Sequence, residues 1–286
     1  MDDIDPSAAA AEASDREVAV VTGGASGLGR GLAEEFARRG MDVVLLDRDA
    51  GRAEAEAEAL AAAHDVVALG RGVDIADPAQ LADAAELVDE RFGRVDLVLS
   101  NVGVQLFGAV ESFTDDEWRW ILDINVIGAA RTARTFLPLL RRASNPRLAF
   151  TTSSSVLDPA SRLGAYQATK FAVWGLAETL RLELADEVSV SVLFPSGMLS
   201  RHLETSTEAQ PDHIRREIGA PEDFEAMIAS NPDMASMPIS PEEAAARSAD
   251  ALLRGERYVI THGDLVAAVA RRDDALRRAA EQARSS

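Results

Sequence analysis

Tyr166 and Lys170 have the residue types and the spacing of an acid–base pair. They lie four positions apart in a segment of helical composition, so both side chains share one face of a helix, about one turn apart. A nearby ammonium group stabilises a phenolate and lowers the tyrosine pKa, which lets the phenol exchange a proton with an alcohol or carbonyl oxygen. Such pairs also occur by chance on surface helices, so this pair predicts chemistry only together with partners.

A glycine-rich turn near the N-terminus has the context of a phosphate-binding site. Residues 22–29 read Thr-Gly-Gly-Ala-Ser-Gly-Leu-Gly, directly after a predicted strand and at the start of a predicted helix. Glycines permit close approach of the backbone, and a helix N-terminus offers free N–H groups to a pyrophosphate. Packing alone is the alternative explanation for such a turn. The residues predicted to hold a dinucleotide here are Thr22, Gly23, Ser26, Gly27, Leu28 and Gly29.

The second predicted strand ends at Asp47, which Arg48 follows. An acid about 20 residues beyond the glycine turn stands where the ribose hydroxyls lie, and a carboxylate there would repel a 2′-phosphate. Asp47 therefore favours NAD as the cofactor. Arg48 could pair with a 2′-phosphate, which keeps NADP possible. A solvated turn is the alternative for both residues.

Short β-branched runs alternate with segments of helical period along the chain. This alternation predicts an α/β fold, a Rossmann-type doubly wound parallel sheet of seven strands in a single domain. The predicted strands cover residues 18–22, 42–47, 66–73, 95–100, 147–152, 188–194 and 258–260. The predicted helices cover residues near 28–39, 50–63, 78–92, 115–142, 164–186 and 241–254.

The ends of the chain and one late segment are expected to differ from this core. We expect a flexible acidic tail over residues 1–15, a catalytic domain over 16–264 with a substrate lid near 198–239, and a C-terminal helix over 265–286. Ser240-Pro241-Glu242-Glu243 predicts the start of a helix, with the serine and the second glutamate forming a capping box.

Composition limits the class of protein. The 286 residues carry a formal net charge of −19, are 47% hydrophobic and include 0 cysteines. This charge repels nucleic-acid backbones and anionic membranes, and no apolar run has membrane-spanning length. Without cysteine there is no disulfide framework, thiolate metal site or cysteine nucleophile. We therefore expect a cytoplasmic protein with a small-molecule substrate and no metal, nucleic-acid or membrane partner.

Five motifs together resemble the short-chain dehydrogenase family. They are the glycine turn, Ser100-Asn101-Val102-Gly103, Asn125, a serine cluster and Tyr166-Gln167-Ala168-Thr169-Lys170, in that family's order and at its distances over about residues 16–200. The resemblance implies that Tyr166 is the general acid/base, that Lys170 lowers its pKa and holds the nicotinamide ribose, and that Asn125 positions a proton-relaying water. It also implies a catalytic serine thirteen residues before the tyrosine, at Ser153, with Ser155 as the alternative.

The same resemblance implies further cofactor contacts. They are Asp74 and Ile75 at the adenine, Asn101 and Gly103 at the adenosine, and Pro195 and Ser200 at the nicotinamide. A purely structural role is the alternative for Asn101. Ser196 and Ser200 depart from the family's usual Pro-Gly segment with a later threonine, and Val102 replaces a usual alanine, which affects packing more than chemistry.

The implied reaction transfers a hydride between a nicotinamide and a secondary alcohol or its ketone. Four of the 6 methionines lie within residues 198–239, and methionine adapts to irregular apolar shapes, so we expect a lipophilic substrate. Packing of the loop or a subunit contact is the alternative. In the family the helices predicted over 115–142 and 164–186 join subunits, so a homodimer or homotetramer is expected.

Two other classes of function are compatible with the same fold. One is a sensor or scaffold protein that binds NAD(P) without turnover, although such a protein has no need for the complete set of serine, tyrosine, lysine and asparagine. The other is an epimerase or dehydratase, but those relatives usually have a different glycine spacing and a longer substrate domain.

Overall fold

A parallel sheet of seven strands forms the centre of the molecule. The computed structural model describes residues 15–216, 218–232 and 238–285, so the tail predicted over residues 1–15 lies outside the described residues except at its last position. The strands are β1 (Val18–Thr22), β2 (Asp42–Asp47), β3 (Ala68–Gly72), β4 (Leu97–Ser100), β5 (Arg147–Thr151), β6 (Ser189–Phe194) and β7 (Tyr258–Ile260). Their order is β3-β2-β1-β4-β5-β6-β7 with every neighbouring pair parallel. The predicted doubly wound, single-domain α/β fold is confirmed.

Helices cover both faces of this sheet. Within the described residues they are α1 (Gly27–Arg38), α2 (Ala50–Ala63), α3 (Pro78–Phe92), α4 (Asp115–Leu122), α5 (Gly128–Leu140), α6 (Gly164–Glu183), α7 (His202–Ala209), α8 (Pro221–Ser230), α9 (Pro241–Leu253) and α10 (Val266–Ser285). None of these helices combines the length and the apolar character needed to cross a bilayer.

The strands are apolar on both sides because each side packs against helices. Val20 of β1 belongs to a core cluster with Phe136 of α5 and Val173 of α6. The next residue, Val21, points to the other side and joins a second cluster with Phe36 of α1. Successive strand residues face opposite sides of a sheet, so a strand covered on both sides reads as a continuous apolar run.

The single helix predicted over residues 115–142 is wrong in its middle. A π-helical turn at Asp123–Ile127 separates α4 from α5. Such a turn inserts an extra residue into the helix and redirects one side chain, here the fully buried Asn125. The helix then resumes at Gly128, where an added Cβ would lie only 2.6 Å from Cδ1 of Ile75.

The segment predicted as an irregular lid, residues 198–239, contains two short helices. They are α7 and α8, with a 3₁₀ turn at Asp212–Ile214 between them. Pro211 follows the end of α7, where proline cannot continue a helix. Pro221 is the first residue of α8, a position that proline favours. Residues 217 and 233–237 of the lid lie outside the described residues.

The helix start predicted at Ser240 is confirmed, but its capping box is half formed. The Ser240 hydroxyl accepts a hydrogen bond from Glu243 N at 3.1 Å, and Pro241 is the first helical residue. The Glu243 carboxylate pairs with Arg247, one turn further along α9. An arginine at this spacing competes for the carboxylate that a capping box would need.

Candidate active site

Most of the predicted site residues line one cleft at the carboxyl ends of the strands. The cleft has a volume of about 1370 Å³ and extends from the glycine turn to the lid. It lies where β1 and β4 are neighbours and the strand order reverses, the usual ligand position in such sheets. Its lining includes Gly23, Ser26, Gly27, Leu28, Asp47, Arg48, Asp74, Ile75, Asn101, Gly103, Ser153, Tyr166, Lys170, Pro195 and Ser200. Thr22, Gly29 and Asn125 are predicted site residues outside this lining.

The glycine turn leaves a helix N-terminus open to the cleft. Gly23 and Gly27 have positive φ angles of 64° and 53°, which favour glycine. The first intrahelical bond of α1 joins Arg30 N to Ser26 O at 3.1 Å, and the Ser26 side chain makes no capping bond. The N–H groups of the first turn therefore need a partner, and an anionic pyrophosphate fits that position.

Thr22 and Asn101 tie β1 to β4 beneath this turn. The Thr22 hydroxyl accepts a hydrogen bond from Asn101 N at 2.9 Å, and Asn101 Oδ1 accepts one from the Thr151 hydroxyl at 3.0 Å. Gly29 makes the approach possible, since an added Cβ would lie 2.1 Å from the Gly23 carbonyl oxygen. Asn101 thus has the structural role considered as an alternative and also lines the cleft.

Asp47 lies at the end of β2, beside the glycine turn. Its Oδ2 accepts a hydrogen bond from Ala25 N at 3.1 Å and its Oδ1 accepts one from Asp49 N at 3.2 Å. A carboxylate has further acceptor sites, so Asp47 can still bind ribose hydroxyls. Arg48 is exposed and reaches the lid, with Nη1 3.4 Å from the Ala209 carbonyl oxygen. This end of the cleft fits an unphosphorylated adenosine ribose better than a phosphorylated one.

The loop after β3 forms the wall of the cleft at its predicted adenine end. Asp74 Oδ1 accepts a hydrogen bond from Ala76 N at 2.9 Å, which fixes the loop. Ile75 is buried, and its side chain packs against Gly128, where an added Cβ would lie 2.6 Å from Ile75 Cδ1. Both residues line the cleft.

Tyr166 projects from α6 into an apolar cluster beneath the lid. Burial raises the pKa of Tyr166 to about 12, and a hydrogen-bonding interaction with the Ser153 hydroxyl acts in the opposite direction. Ser153 is extended and starts a 3₁₀ turn, where its Oγ accepts a hydrogen bond from Ser155 N at 3.2 Å. The Ser155 hydroxyl is buried without a hydrogen-bond partner among the described residues. Ser153 is therefore the serine that interacts with the phenol.

Lys170 is the only lysine in a sequence with 29 basic residues. Its Nζ donates a hydrogen bond to the Thr151 carbonyl oxygen at 3.0 Å, and the residue is 3% exposed. Burial lowers its pKa to about 8. Arginine is larger and stays charged at any accessible pH, so it cannot replace an ammonium group here. In a chain that otherwise uses arginine, this single lysine is a signal for the site that sequence analysis overlooked.

The position of Lys170 requires a glycine in the opposite loop. An added Cβ on Gly103 would lie 2.9 Å from the Lys170 Nζ. The ammonium lies over the Tyr166 ring, 5.6 Å from its centroid. Contrary to expectation, the pKa of Tyr166 is raised rather than lowered, because burial has a larger effect than the opposing interaction with the Ser153 hydroxyl.

Asn125 connects the π-helical turn to the loop after β4. Its Oδ1 accepts a hydrogen bond from Val104 N at 2.8 Å, and its Nδ2 donates to the Val104 carbonyl oxygen at 2.8 Å and to the Thr169 hydroxyl at 2.9 Å. Both amide hydrogens are thus used inside the protein, while the oxygen keeps one acceptor site. Asn125 fixes the loop that carries Gly103, next to the Lys170 ammonium.

The segment after β6 carries the two serines that depart from the family pattern. The Ser154 hydroxyl donates a hydrogen bond to Ser196 Oγ at 3.2 Å, and Ser154 N donates to the Pro195 carbonyl oxygen at 2.8 Å. Ser196 therefore fastens this segment to the serine cluster. Ser200 is exposed at the mouth of the cleft, where its N–H donates to the Met198 carbonyl oxygen at 2.9 Å.

His202, the first residue of α7, is a site residue that sequence analysis missed. Its ring lies edge-on to Tyr166, with the two centroids 6.2 Å apart and the planes at 61°. Burial, and to a lesser degree the charge of Lys170, lower the pKa of His202 to about 4. No spacing in the sequence links residue 202 to residue 166, so only the folded lid reveals this contact.

Comparison with known proteins gives consistent matches. Residues 17–211 match the family described as short chain dehydrogenase. The 11-beta-hydroxysteroid dehydrogenase A of Sesamum indicum is 31% identical over 252 residues, which cover 85% of this chain and 67% of that protein. The D-beta-hydroxybutyrate dehydrogenase of Cupriavidus necator is 29% identical over 199 residues, covering 68% of this chain and 75% of that protein.

The fold matches solved structures over nearly its whole length. A short chain dehydrogenase/reductase from Burkholderia phymatum in complex with NAD is 29% identical and superposes with a TM-score of 0.82, covering 93% of this chain and 96% of that one. A short-chain dehydrogenase from Streptomyces avermitilis is 26% identical, with a TM-score of 0.75 and coverage of 94% and 96%.

Proposed function

The chain belongs to the short-chain dehydrogenase family, and we propose that it is an NAD(P)-dependent oxidoreductase that transfers a hydride between nicotinamide and a secondary alcohol or its ketone. One arrangement carries the proposal: the Tyr166 phenol interacts with the Ser153 hydroxyl, and the Lys170 ammonium lies 5.6 Å from the centroid of the same ring. These groups provide a proton donor, a hydrogen-bond donor and a fixed positive charge at one end of the cleft.

In the direction of ketone reduction, Tyr166 donates the proton. Its pKa of about 12 keeps the phenol protonated at neutral pH, so the proton is available when negative charge develops on the carbonyl oxygen. The Ser153 hydroxyl donates a hydrogen bond to the same oxygen and stabilises that charge. Reduced nicotinamide, when bound in the cleft, would supply the hydride to the carbonyl carbon, and oxidised nicotinamide would accept it in the reverse reaction.

Lys170 and Asn125 support the proton transfer. Lys170 uses one N–H on the Thr151 carbonyl oxygen, so two N–H groups are left to bind ribose hydroxyls. Its charge stabilises the phenolate that remains after Tyr166 has given up its proton. Asn125 is a positioning residue that fixes the neighbouring loop, and the free acceptor site on its oxygen can bind the water that returns a proton from solvent.

NAD is the cofactor we propose, with NADP as the weaker candidate. The Asp47 carboxylate, held by Ala25 N at 3.1 Å, favours a ribose with free hydroxyls. The Burkholderia phymatum relative, whose structure is in complex with NAD, supports the same choice.

The substrate we propose is lipophilic. The end of the cleft around Tyr166 adjoins an apolar cluster that includes Phe107, Leu163, Phe224 and Met227. Burial of apolar surface there would favour a substrate with a hydrocarbon body. The Sesamum indicum relative carries hydroxysteroid in its name, which is consistent with a substrate of this class.

The test measures the absorbance of the reduced nicotinamide cofactor, which rises or falls as hydride is transferred. The protein is incubated with a panel of lipophilic secondary alcohols and ketones, with NAD and NADP in parallel, and cofactor affinity is measured by calorimetry. We expect turnover with NAD and weaker turnover with NADP. Binding of either cofactor with no turnover across the panel would contradict the proposal and favour a sensor or scaffold.

We also propose that the protein is a homodimer or homotetramer joined through α5 and α6. Phe171 and Leu182 of α6 are 41% and 69% exposed, and a groove of about 350 Å³ separates the two helices. Light scattering should give a mass two or four times that of the 30.5 kDa chain, and Leu182→Glu should lower the measured mass. A wild-type monomer at micromolar concentration would refute this proposal.

A further inference from the structure

The imidazole of His202 is a polar group beside the proton donor that the proposed mechanism does not use. It lines the cleft on the side of the lid, in edge-to-face contact with Tyr166 at a centroid distance of 6.2 Å. No hydrogen bond joins its ring nitrogens to any residue in the described ranges 15–216, 218–232 and 238–285. A neutral imidazole has one donor and one acceptor nitrogen, so both remain available to a molecule in the cleft.

Apolar side chains surround the imidazole, so its ring nitrogens select a ligand that is apolar apart from a polar atom placed to reach them. The same end of the cleft is lined by residues of the apolar cluster beneath the lid. Val104, Phe107 and Leu163 are buried in that cluster, and Leu203 packs against it. His202 is half-buried among these apolar side chains, so a ligand that hydrogen-bonds to its ring gains both affinity and specificity. Because the imidazole contacts the Tyr166 ring directly, an oxygen that reaches it must lie close to the reacting carbon.

The charge at this end of the cleft argues against an anionic partner. Burial and the Lys170 charge lower the pKa of His202 to about 4, so it is neutral at physiological pH. The nearby Arg201 is already paired, with Glu204 at 2.6 Å and Glu208 at 3.3 Å. On the far part of the lid, Arg215 pairs with Asp212 at 2.9 Å. The remaining N–H groups of Lys170 are assigned to the cofactor ribose in the proposed function, so a substrate carboxylate would enter a strongly acidic protein with no unassigned cation beside His202 among the described residues.

We propose that His202 is a specificity-determining residue that hydrogen-bonds a second, uncharged oxygen of the substrate, close to the reacting carbon. The substrate class is then an apolar hydroxyketone, or the corresponding vicinal diol, rather than a simple ketone or a keto acid. This inference rests on the proposed function, since it places the reacting oxygen at Tyr166.

The experiment compares matched probes with and without the second oxygen. Binding of 2-hydroxy-2-methylcyclohexanone, 2-methylcyclohexanone and 3-oxocyclohexanecarboxylate to the protein saturated with NAD is measured by calorimetry. The hydroxyl of the first probe is tertiary and the other two probes are ketones without a hydroxyl, so oxidised cofactor cannot react with any of them. Reduction of the same probes by NADH is followed in parallel. The variants are His202→Leu, which removes the hydrogen-bonding group, and His202→Asn, which keeps one. His213→Leu, at an exposed histidine of the lid, is the matched control.

Wild type should bind the hydroxyketone about tenfold more tightly than the simple ketone, the scale of one well-formed hydrogen bond. We expect His202→Leu to bring this ratio close to one, His202→Asn to restore part of it, and His213→Leu to leave it unchanged. NAD affinity should be similar in all four proteins, which separates a change of specificity from a damaged fold.

The outcomes distinguish the two proposals. A ratio near one in wild type, a ratio that survives in His202→Leu, or tighter binding of the carboxylate would overturn the role of His202, even if the ketones are reduced. The expected ratios without any reduction by NADH would support the role of His202 and contradict the proposed oxidoreductase activity.

Discussion

The buried ammonium of Lys170 gives a prediction about stability that does not depend on knowing the substrate. Burial lowers the pKa of Lys170 from 10.5 to about 8. A shift of that size corresponds to roughly 3 kcal/mol of unfavourable free energy for the charged form in the folded protein. The Thr151 carbonyl oxygen, 3.0 Å from Nζ, is the hydrogen-bond acceptor that offsets part of the cost of burial.

The sign of the pH dependence follows from this lowered pKa. Below pH 8 the lysine is protonated in both the folded and the unfolded chain, so the full cost is present. Between pH 8 and pH 10.5 the folded protein releases its proton first, and the unfolded chain binds more protons. The free energy of unfolding therefore rises with pH in this interval.

The perturbation is Lys170→Met, which keeps the aliphatic length and removes the titrating group. Urea unfolding of wild type and variant is measured without cofactor at pH 7 and pH 10, so that the other titrating groups cancel in the difference. The free energy of unfolding of wild type, relative to the variant, should rise by roughly 2 to 3 kcal/mol between the two pH values.

Nuclear magnetic resonance gives an independent reading of the same quantity. Because the sequence has a single lysine, ¹³C-labelled lysine produces one side-chain resonance, whose titration reports the Lys170 pKa directly. A midpoint near pH 8 supports the account. A midpoint above pH 10, or a difference in unfolding free energy that does not change with pH, would refute the claim that burial controls this group.

Two further predictions concern backbone space and cofactor choice. Gly103→Ala would bring a Cβ to 2.9 Å from the Lys170 Nζ, so kcat/KM should fall by about tenfold or more as a charged hydrogen bond is displaced. Gly175→Ala is the control, because an added Cβ there has no atom within 4 Å; it should leave kcat/KM unchanged and raise the free energy of unfolding by roughly 1 kcal/mol. Equal losses of activity in the two variants would contradict this prediction. Asp47→Ser should raise the ratio of NADP to NAD use by about tenfold or more. Asp83→Ser, at an exposed position of α3 outside the cleft lining, should leave the ratio unchanged. An unchanged ratio in Asp47→Ser would remove Asp47 from cofactor selection.

Much of the fold could be predicted because parallel strands covered on both sides leave a simple pattern. The bounds of β1, β2, β7, α2 and α3 agree with the sequence-based ranges. The π-helical turn at Asp123–Ile127 was not predicted, because the residue it positions, Asn125, bonds to Val104, a partner 21 residues away. Local periodicity contains no trace of such a contact.

The candidate site, like the fold, was predicted only in part. Motif residues such as Tyr166 and Ser153 lie together as their spacing implies, because Ser153 follows the carboxyl end of β5 and Tyr166 lies in the first turn of α6. The electrostatics differed from expectation, since burial outweighs the interaction with the Ser153 hydroxyl and raises the pKa of Tyr166. His202 lies on a lid helix, and its approach to Tyr166 depends on how the lid packs, which no local pattern encodes.

Tyr166 is the proposed acid/base of a nicotinamide-dependent reaction. The sequence contains 2 tyrosines, so Tyr258→Phe, on β7, is a matched control for Tyr166→Phe. The measurement is the rate of nicotinamide oxidation with the best ketone of the panel, together with NAD affinity by calorimetry. The account predicts a loss of kcat of about 100-fold to 10,000-fold in Tyr166→Phe, with NAD affinity within about threefold of wild type and normal kcat in Tyr258→Phe. Turnover preserved in Tyr166→Phe, or lost equally in both variants, would contradict it.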